Sequence, residues 1–279
     1  MFVRSDLLLA DSVKSPRAHA IAFWWGKFNP TMLAYDPKRA EVFEMDLWNL
    51  EMFVGREGNC VGKFGPGGYV PCPHAAPVGR FAQCAGCAAE FIPDQSCIFE
   101  PKCAGEMCRA RICLDEHAVY IAFHGKVPKI GMCRGSRAEE RAIEQGADAY
   151  AIVARPKGRQ AARTLEKEIS KALGLRQTVR HSESLAAMTA PVPWELIGAM
   201  YEEIKGALKE RFELAPASLK RLESYPMPPR VDDMPRLETP EGYHSGKTVG
   251  IKGKYLIYTN GGPHAISIPS MVARHIRLA

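Results

Sequence analysis

Short apolar runs in the middle of the chain indicate β-strands. Residues 117–123 (HAVYIAF) and 127–132 (VPKIGM) are two such runs, joined by the turn sequence HGK, and together they predict a β-hairpin. Pro128 cannot donate a hydrogen bond within a sheet, which places the second run at a strand start or a sheet edge. Residues 149–153 (AYAIV) predict a third strand.

After the hairpin the pattern becomes helical. Ser136 and Glu139 have the spacing of a capping box, in which Ser136 caps the helix and Glu139 reaches back, and Gly146 predicts the helix end. A second helix is predicted by an apolar stripe at four-residue spacing: Leu165, Ile169 and Leu173. The predicted order is therefore strand, strand, helix, strand, helix.

Both ends of the chain are rich in strand-like runs, and we expect them to pair with each other. Between them, residues 193–212 predict an amphipathic helix, and the proline-rich residues 224–235 cannot be helical. We expect an α/β (α+β) fold. Its segments are an N-terminal β segment (1–59), a cysteine-rich region (60–115), a ββαβα domain (116–182), a helical extension (183–223), a proline-rich linker (224–240) and a C-terminal β segment (241–279).

The cysteines indicate a metal site. Nine are present, and eight fall within one stretch: Cys60, Cys72, Cys84, Cys87, Cys97, Cys103, Cys108 and Cys113. This stretch has few periodic apolar residues, so it needs a staple to fold. The pair Cys84 and Cys87 has the spacing of a zinc knuckle.

We expect structural zinc, one or two ions, with His74 and His117 as spare candidate ligands. Disulfides and an iron–sulfur cluster are the alternatives, and the grouping of the cysteines stays open. No stretch has the roughly 18 apolar residues of a membrane span. The first residues lack a signal-peptide cleavage pattern, so we expect a cytoplasmic protein.

Charge is concentrated in the region of the second and third predicted strands. Residues 126–180 hold 13 Lys and Arg against 6 Asp and Glu, more than the whole net charge of +6. A basic surface formed by these residues would suit an anionic partner, most commonly nucleic acid. The alternative is that the charges lie on a solvated helix face. The candidate contacts are Arg134, Arg137, Arg155, Lys157, Arg159 and Arg163.

The same region resembles a GIY-YIG nuclease domain. That family has a tyrosine on each of its first two strands, an arginine on the first helix and a later glutamate. The matching residues here are Tyr120, Arg141 (with Arg137 as the alternative) and Glu166, and the second strand reads Lys129-Ile130-Gly131. Lysine thus replaces the second tyrosine, as in one branch of that family.

The resemblance implies a phosphodiester-cleaving site. In it, Glu166 would bind Mg²⁺ or Mn²⁺, and Tyr120 would act as general base or orient the attacking water. Lys129 would favour the phenolate form of that tyrosine. Arg141 would pair with the scissile phosphate.

Nearly the whole chain also resembles an uncharacterised archaeal family of unknown function. The shared features are the cysteine-rich region, the KIG segment, RAIEQGA at residues 141–147 and GIKGKYL at residues 250–256. That resemblance implies no activity.

We therefore expect a nucleic-acid-binding zinc protein with a GIY-YIG-like site, leaning towards a metal-dependent endonuclease. The alternative is a non-catalytic protein that binds RNA, with the ribosome or tRNA among its candidate partners, through the same basic surface. DNA and RNA cannot be separated from the sequence.

Overall fold

A computed structural model describes residues 17–88, 97, 100 and 111–278. The fold is mixed α+β, which confirms the expected class at that level. The chain divides into two compact units. We call residues 1–95 with 235–279 the terminal unit, and residues 96–234 the central unit.

The elements are numbered in chain order. Before residue 100 they are β1 (Ala18–Gly26), β2 (Asn29–Asp36), β3 (Glu41–Glu44), β4 (Asn49–Gly58), β5 (Lys63–Gly65), β6 (Gly68–Val70) and α1 (Ala85–Ala88). The central elements are α2 (Arg111–Leu114), β7 (His117–His124), β8 (Val127–Arg134), α3 (Ala138–Gln145), β9 (Ala149–Ala154), α4 (Arg159–Leu173), α5 (His181–Thr189), α6 (Trp194–Phe212) and β10 (Lys220–Arg221). The last are β11 (Arg236–Leu237), β12 (Gly242–Lys252), β13 (Tyr255–Thr259), β14 (Pro263–Ser267) and β15 (Arg274–Leu278).

The terminal unit is built on a nine-stranded sheet with the order β11-β14-β13-β12-β4-β15-β1-β2-β3. Strands from the two ends of the sequence interleave, because β15 lies between β4 and β1 and is antiparallel to both. In β4, Leu50, Met52 and Val54 are buried while the residues between them are exposed. This period of two shows that one face of β4 packs on a core and the other is open.

The central unit has a four-stranded sheet with the order β10-β9-β7-β8. All eight residues of β7 are buried, as expected for a strand covered on both faces. On one face, Val119, Ile121 and Phe123 pack in a core with residues of α4 and α6. The predicted element order from residue 117 to residue 173 is confirmed.

The predicted capping box is wrong. Residues Gly135–Arg137 form a 3₁₀ turn, α3 begins at Ala138, and no side chain caps it. Glu139 instead accepts a hydrogen bond from the Tyr150 hydroxyl at 2.8 Å, which draws it towards β9. The predicted end is confirmed: Gly146 is left-handed, with φ of 77°.

The proline-rich residues after β10 contain no helix and are anchored on the central unit. Tyr225 is buried, and its hydroxyl donates to the Ala147 carbonyl at 2.9 Å. The Val231 amide donates to the Met188 carbonyl at 3.0 Å. The segment up to Met234 therefore belongs to the central unit, with Tyr225 and Val231 buried in it.

Candidate metal centre and candidate phosphate site

Four cysteines of the terminal unit form one cluster. The sulfur atoms of Cys60, Cys72, Cys84 and Cys87 all lie within 4.8 Å of one another. The Cys72 and Cys84 sulfurs are 4.0 Å apart. A tetrahedral ion with metal–sulfur bonds of ~2.3 Å places its sulfurs ~3.8 Å apart, so the cluster has the dimensions of a four-thiolate metal site.

Local backbone structure brings the four cysteines together. Cys60 follows β4, and the β5–β6 hairpin carries the chain out and back to Cys72. Gly62 is left-handed (φ +68°), and a Cβ there would lie 2.2 Å from the Val70 carbonyl oxygen, so the hairpin closes only around glycine. At the knuckle, the Cys87 amide donates to the Cys84 carbonyl at 3.1 Å.

Backbone amides point at the sulfurs. The Cys84 amide donates to the Cys60 sulfur at 3.2 Å. Hydrogen bonds from the backbone at Ala76 and His74 contribute to lowering the pKa of Cys72 to about 6. Burial raises the pKa of Cys60 and of Cys87, so these thiols need a cation to ionise. The donor set therefore fits a metal ion that binds four thiolates.

The other predicted ligands do not join this cluster. Within the described residues, Cys97 and Cys113 lie outside it, and Cys103 and Cys108 fall outside the part of the chain that the structure describes. Neither His74 nor His117 belongs to it either: His74 is exposed, and the His117 ring contacts the Asp115 carbonyl at 2.8 Å. The cluster holds half of the eight cysteines that the sequence offered.

A second polar cluster lies on the sheet face of the central unit opposite the α4–α6 core. Tyr120 on β7 is paired with Gly131 on β8. The Tyr120 hydroxyl donates to Gln145 Oε1 at 3.2 Å, and Lys129 Nζ donates to the same oxygen at 3.0 Å. Lys129 Nζ also lies 5.9 Å from the centre of the Tyr120 ring. Side chains from β7 and β8 therefore meet at Gln145, the last residue of α3.

Gln145 is the member of this cluster that sequence reasoning missed. It stands in the segment RAIEQGA, one helical turn after Arg141. That spacing puts it on the same helix face as Arg141, and this was the signal that could have found it.

Tyr120 is fully buried, with 1% of its surface exposed. Burial raises its pKa well above the ordinary range; the charge of Arg141 opposes this and the charge of Glu166 adds to it. This direction is opposite to the phenolate that was expected beside Lys129, because desolvation of the hydroxyl dominates. In this structure Tyr120 is a phenol that donates a hydrogen bond.

Glu166 is close enough to Tyr120 to affect the pKa of that tyrosine. The Glu166 carboxylate, however, already has a cationic partner. It is 5% exposed, and Arg163 Nη1 donates to Glu166 Oε2 at 2.6 Å. Arg163 also donates to Glu100 and Gln177, both at 2.9 Å. Among the described residues the four-cysteine cluster is the one group of three or more metal-binding side chains. The ion pair with Arg163 thus leaves the Glu166 carboxylate less available to a Mg²⁺ or Mn²⁺ ion.

The comparisons with known proteins place the chain in a family. A family model described as "Protein of unknown function (DUF2797)" matches residues 57–276. The chain belongs to the DUF2797 family. No curated protein and no solved structure matches it. Across the described part of this DUF2797 member, no helix has the length and apolar character needed to span a bilayer.

Three arginines of this DUF2797 member gather at one end of β8. Arg137, Arg141 and Arg155 are exposed, and the charge of each acts on the half-buried Cys133. Burial raises the pKa of that thiol to about 11, while the arginine charges lower it. The three arginines come from the 3₁₀ turn, from α3 and from the end of β9.

Each of these arginines has an acidic partner. Arg141 Nη1 lies 2.8 Å from Glu144, which Arg137 also contacts. Arg155 Nη1 lies 2.9 Å from Glu116. Such exposed pairs contribute only about 0–1 kcal/mol each, so an incoming phosphate can replace the carboxylates at low cost.

The remaining predicted basic contacts divide by burial. Lys157 is exposed, and Arg134 is half-buried against Asp115. Arg159 is buried, and Arg163 is largely buried in its network with Glu100 and Glu166. The expectation that Arg159 and Arg163 belong to an exposed contact surface is therefore wrong, because Arg159 is buried and Arg163 is paired with Glu100 and Glu166.

Proposed function

We propose that this protein binds nucleic acid through its central unit, at the cluster of Arg137, Arg141 and Arg155. The convergence of these three exposed guanidinium groups is the observation that carries the proposal. Arg137 and Arg141 share Glu144, and Arg155 Nη1 lies 3.5 Å from the Gly135 carbonyl oxygen, in the turn that carries Arg137. A guanidinium donates two parallel hydrogen bonds to a phosphate, and its charge displaces counterions from the nucleic-acid backbone. Lys157 extends the same basic surface.

The ion in the terminal unit is proposed to be zinc in a structural role. Four thiolates form a closed tetrahedral set, which is typical of structural zinc and leaves no position for substrate. Cys60, Cys72, Cys84 and Cys87 would hold the ion, and the ion would fix the hairpin between them.

A second candidate function is phosphodiester cleavage in the manner of GIY-YIG nucleases. It is favoured by the antiparallel order β8-β7-β9 and by the nearness of Arg141 and Glu166 to Tyr120, whose pKa both charges affect. Two observations weigh against it: the Tyr120 hydroxyl is buried and donates to Gln145, and Glu166 is paired with Arg163. Binding without cleavage is therefore the leading proposal.

The test of binding uses fluorescence anisotropy with labelled double-stranded DNA, single-stranded DNA and folded RNA. We expect Arg141→Ala and Arg155→Ala to weaken binding and to make the salt dependence of log K shallower, by about 0.9 for each duplex phosphate that the variant no longer neutralises. Arg221→Ala is the matched control, since Arg221 is also exposed and ion-paired, with Glu223 at 2.7 Å. Absence of binding to every probe at low salt would overturn the proposal.

The test of cleavage uses the same probes with Mg²⁺ or Mn²⁺ and compares wild type with Glu166→Gln at equal zinc content. Intact probes in both proteins would support binding alone. Cleavage that Glu166→Gln abolishes while binding persists would establish the second candidate. Which probe binds most tightly decides between DNA and RNA, including the RNA partners expected from the sequence.

A further inference from the structure

The open face of the terminal sheet carries a row of stacking side chains. Tyr243 on β12 is paired with Phe53 on β4, and Phe53 is paired with Arg277 on β15. These three residues therefore lie side by side across three neighbouring strands. The Arg277 guanidinium lies over the Phe53 ring, 4.8 Å from its centre.

The row is exposed where a core residue would be covered. Phe53 is 40% exposed and Tyr243 is 60% exposed, whereas Met52 and Val54, the neighbours of Phe53 in β4, are buried on the opposite face. A pair of aromatic rings on adjacent strands stabilises a sheet modestly. That stabilisation does not depend on the rings being exposed to solvent. Their combined open surface is accessible to a partner.

The charges around the row favour an anionic partner. Arg277 closes the row on one side, and Lys247 is exposed on the same face of β12, four residues from Tyr243 or ~13 Å along the strand. Glu51 also lies on this face, between them on β4. A cation at one end of the aromatic row, and a second cation further along the same face, match a ligand that carries flat rings on a phosphate backbone.

We infer that this row, Tyr243–Phe53–Arg277, is a stacking platform for unpaired bases of single-stranded nucleic acid. Bases stack on aromatic rings and on guanidinium planes, and every base has such a face. A duplex hides the faces of its bases, so the platform selects single strands. The inference rests on the proposed function for the class of partner, and adds the strandedness and a second contact region.

The experiment uses the full-length zinc-bound protein with 12-nucleotide single strands of DNA and of RNA and with the matching duplexes. We expect Tyr243→Ala to weaken single-strand binding by about 5- to 150-fold, the loss typical of one stacked base, and to leave duplex binding unchanged. Tyr243→Phe keeps the ring and is expected to bind like wild type. Trp48→Ser is the matched control, since Trp48 is another exposed aromatic residue of this unit.

A direct readout is photocrosslinking of a single strand that contains 5-iodouridine, with the site mapped by mass spectrometry. Crosslinks to Tyr243 or Phe53 support the platform. Equal single-strand binding by wild type and by both Tyr243→Ala and Phe53→Ala would overturn it. If Arg141→Ala still weakens binding in that case, the proposed function stands and only the platform fails. If the wild-type protein binds no nucleic acid, both the proposed function and the platform are overturned.

Discussion

Replacing Gly131 with alanine should destabilise the central unit, although Gly131 has an ordinary backbone conformation for a strand. A Cβ there would lie 2.8 Å from the Tyr120 hydroxyl oxygen and 2.9 Å from its Cζ atom. Tyr120 is fully buried, so a shift of its ring would disturb the residues packed around it. Overpacking of this kind costs about 1–3 kcal/mol.

A double-mutant cycle isolates this contact. Tyr120→Phe alone loses the hydrogen bond to Gln145, at a cost of about 0.5–1.5 kcal/mol. In the Gly131→Ala background the same change also removes the closest clash. The double mutant should therefore be less destabilised than the sum of the single mutants, by on the order of 1 kcal/mol.

Native-state hydrogen exchange of the β7 and β8 amides measures the free energy of opening of this unit separately from the terminal unit. Gly198→Ala is the matched control: Gly198 lies within α6, a Cβ there would contact nothing, and the change should stabilise by about 0.5–1 kcal/mol. If Gly131→Ala behaved like Gly198→Ala, and the cycle were additive, the described packing of Tyr120 against Gly131 would be refuted.

The metal centre and the cluster around Tyr120 are each open to a direct test. Cys84→Ser should lower the zinc content measured by mass spectrometry by one ion per chain, and Cys133→Ser should not; unchanged zinc in the first variant would contradict the metal centre. Because the pKa of Tyr120 is raised in the folded state, only the unfolded chain loses this proton above pH ~10. The contribution of Tyr120 to the free energy of unfolding should therefore fall by ~1.4 kcal/mol per pH unit above that pH. A Tyr120→Phe variant whose stability falls as steeply with pH as that of wild type would argue against the raised pKa. Arg163→Ala should cost about 3–5 kcal/mol in urea unfolding because it leaves Glu166 buried without its partner. Glu166→Gln in that background should recover part of the loss, and no recovery would contradict the ion pair.

Local sequence patterns predicted the elements of the central unit well. The strand expected over residues 117–123 is β7, and the glycine expected to end the first helix does so. Such signals depend on neighbouring residues alone. Ser136 failed as a cap because tertiary contacts decided the helix start: the chain enters α3 through a 3₁₀ turn, and Glu139 bonds to Tyr150.

The sites were harder to predict because they depend on burial and on long-range pairing. The charge count over residues 126–180 included Arg159, which is buried, and Arg163, which is paired with Glu100. The knuckle of Cys84 and Cys87 was visible in the sequence, but the two cysteines that complete the cluster are brought in by a hairpin. Their spacing gave no indication of that grouping.

The position of β15 between β4 and β1 has a consequence for the order of folding during synthesis. Residues 274–278 supply the hydrogen-bonding partners of both neighbours, so those two strands keep open inner edges until the last of the terminal unit has left the ribosome. The central unit, whose strands pair within residues 117–221, can complete its sheet earlier. A nascent chain halted before residue 274 would therefore present unpaired strand edges, which are the natural targets of chaperones and of aggregation.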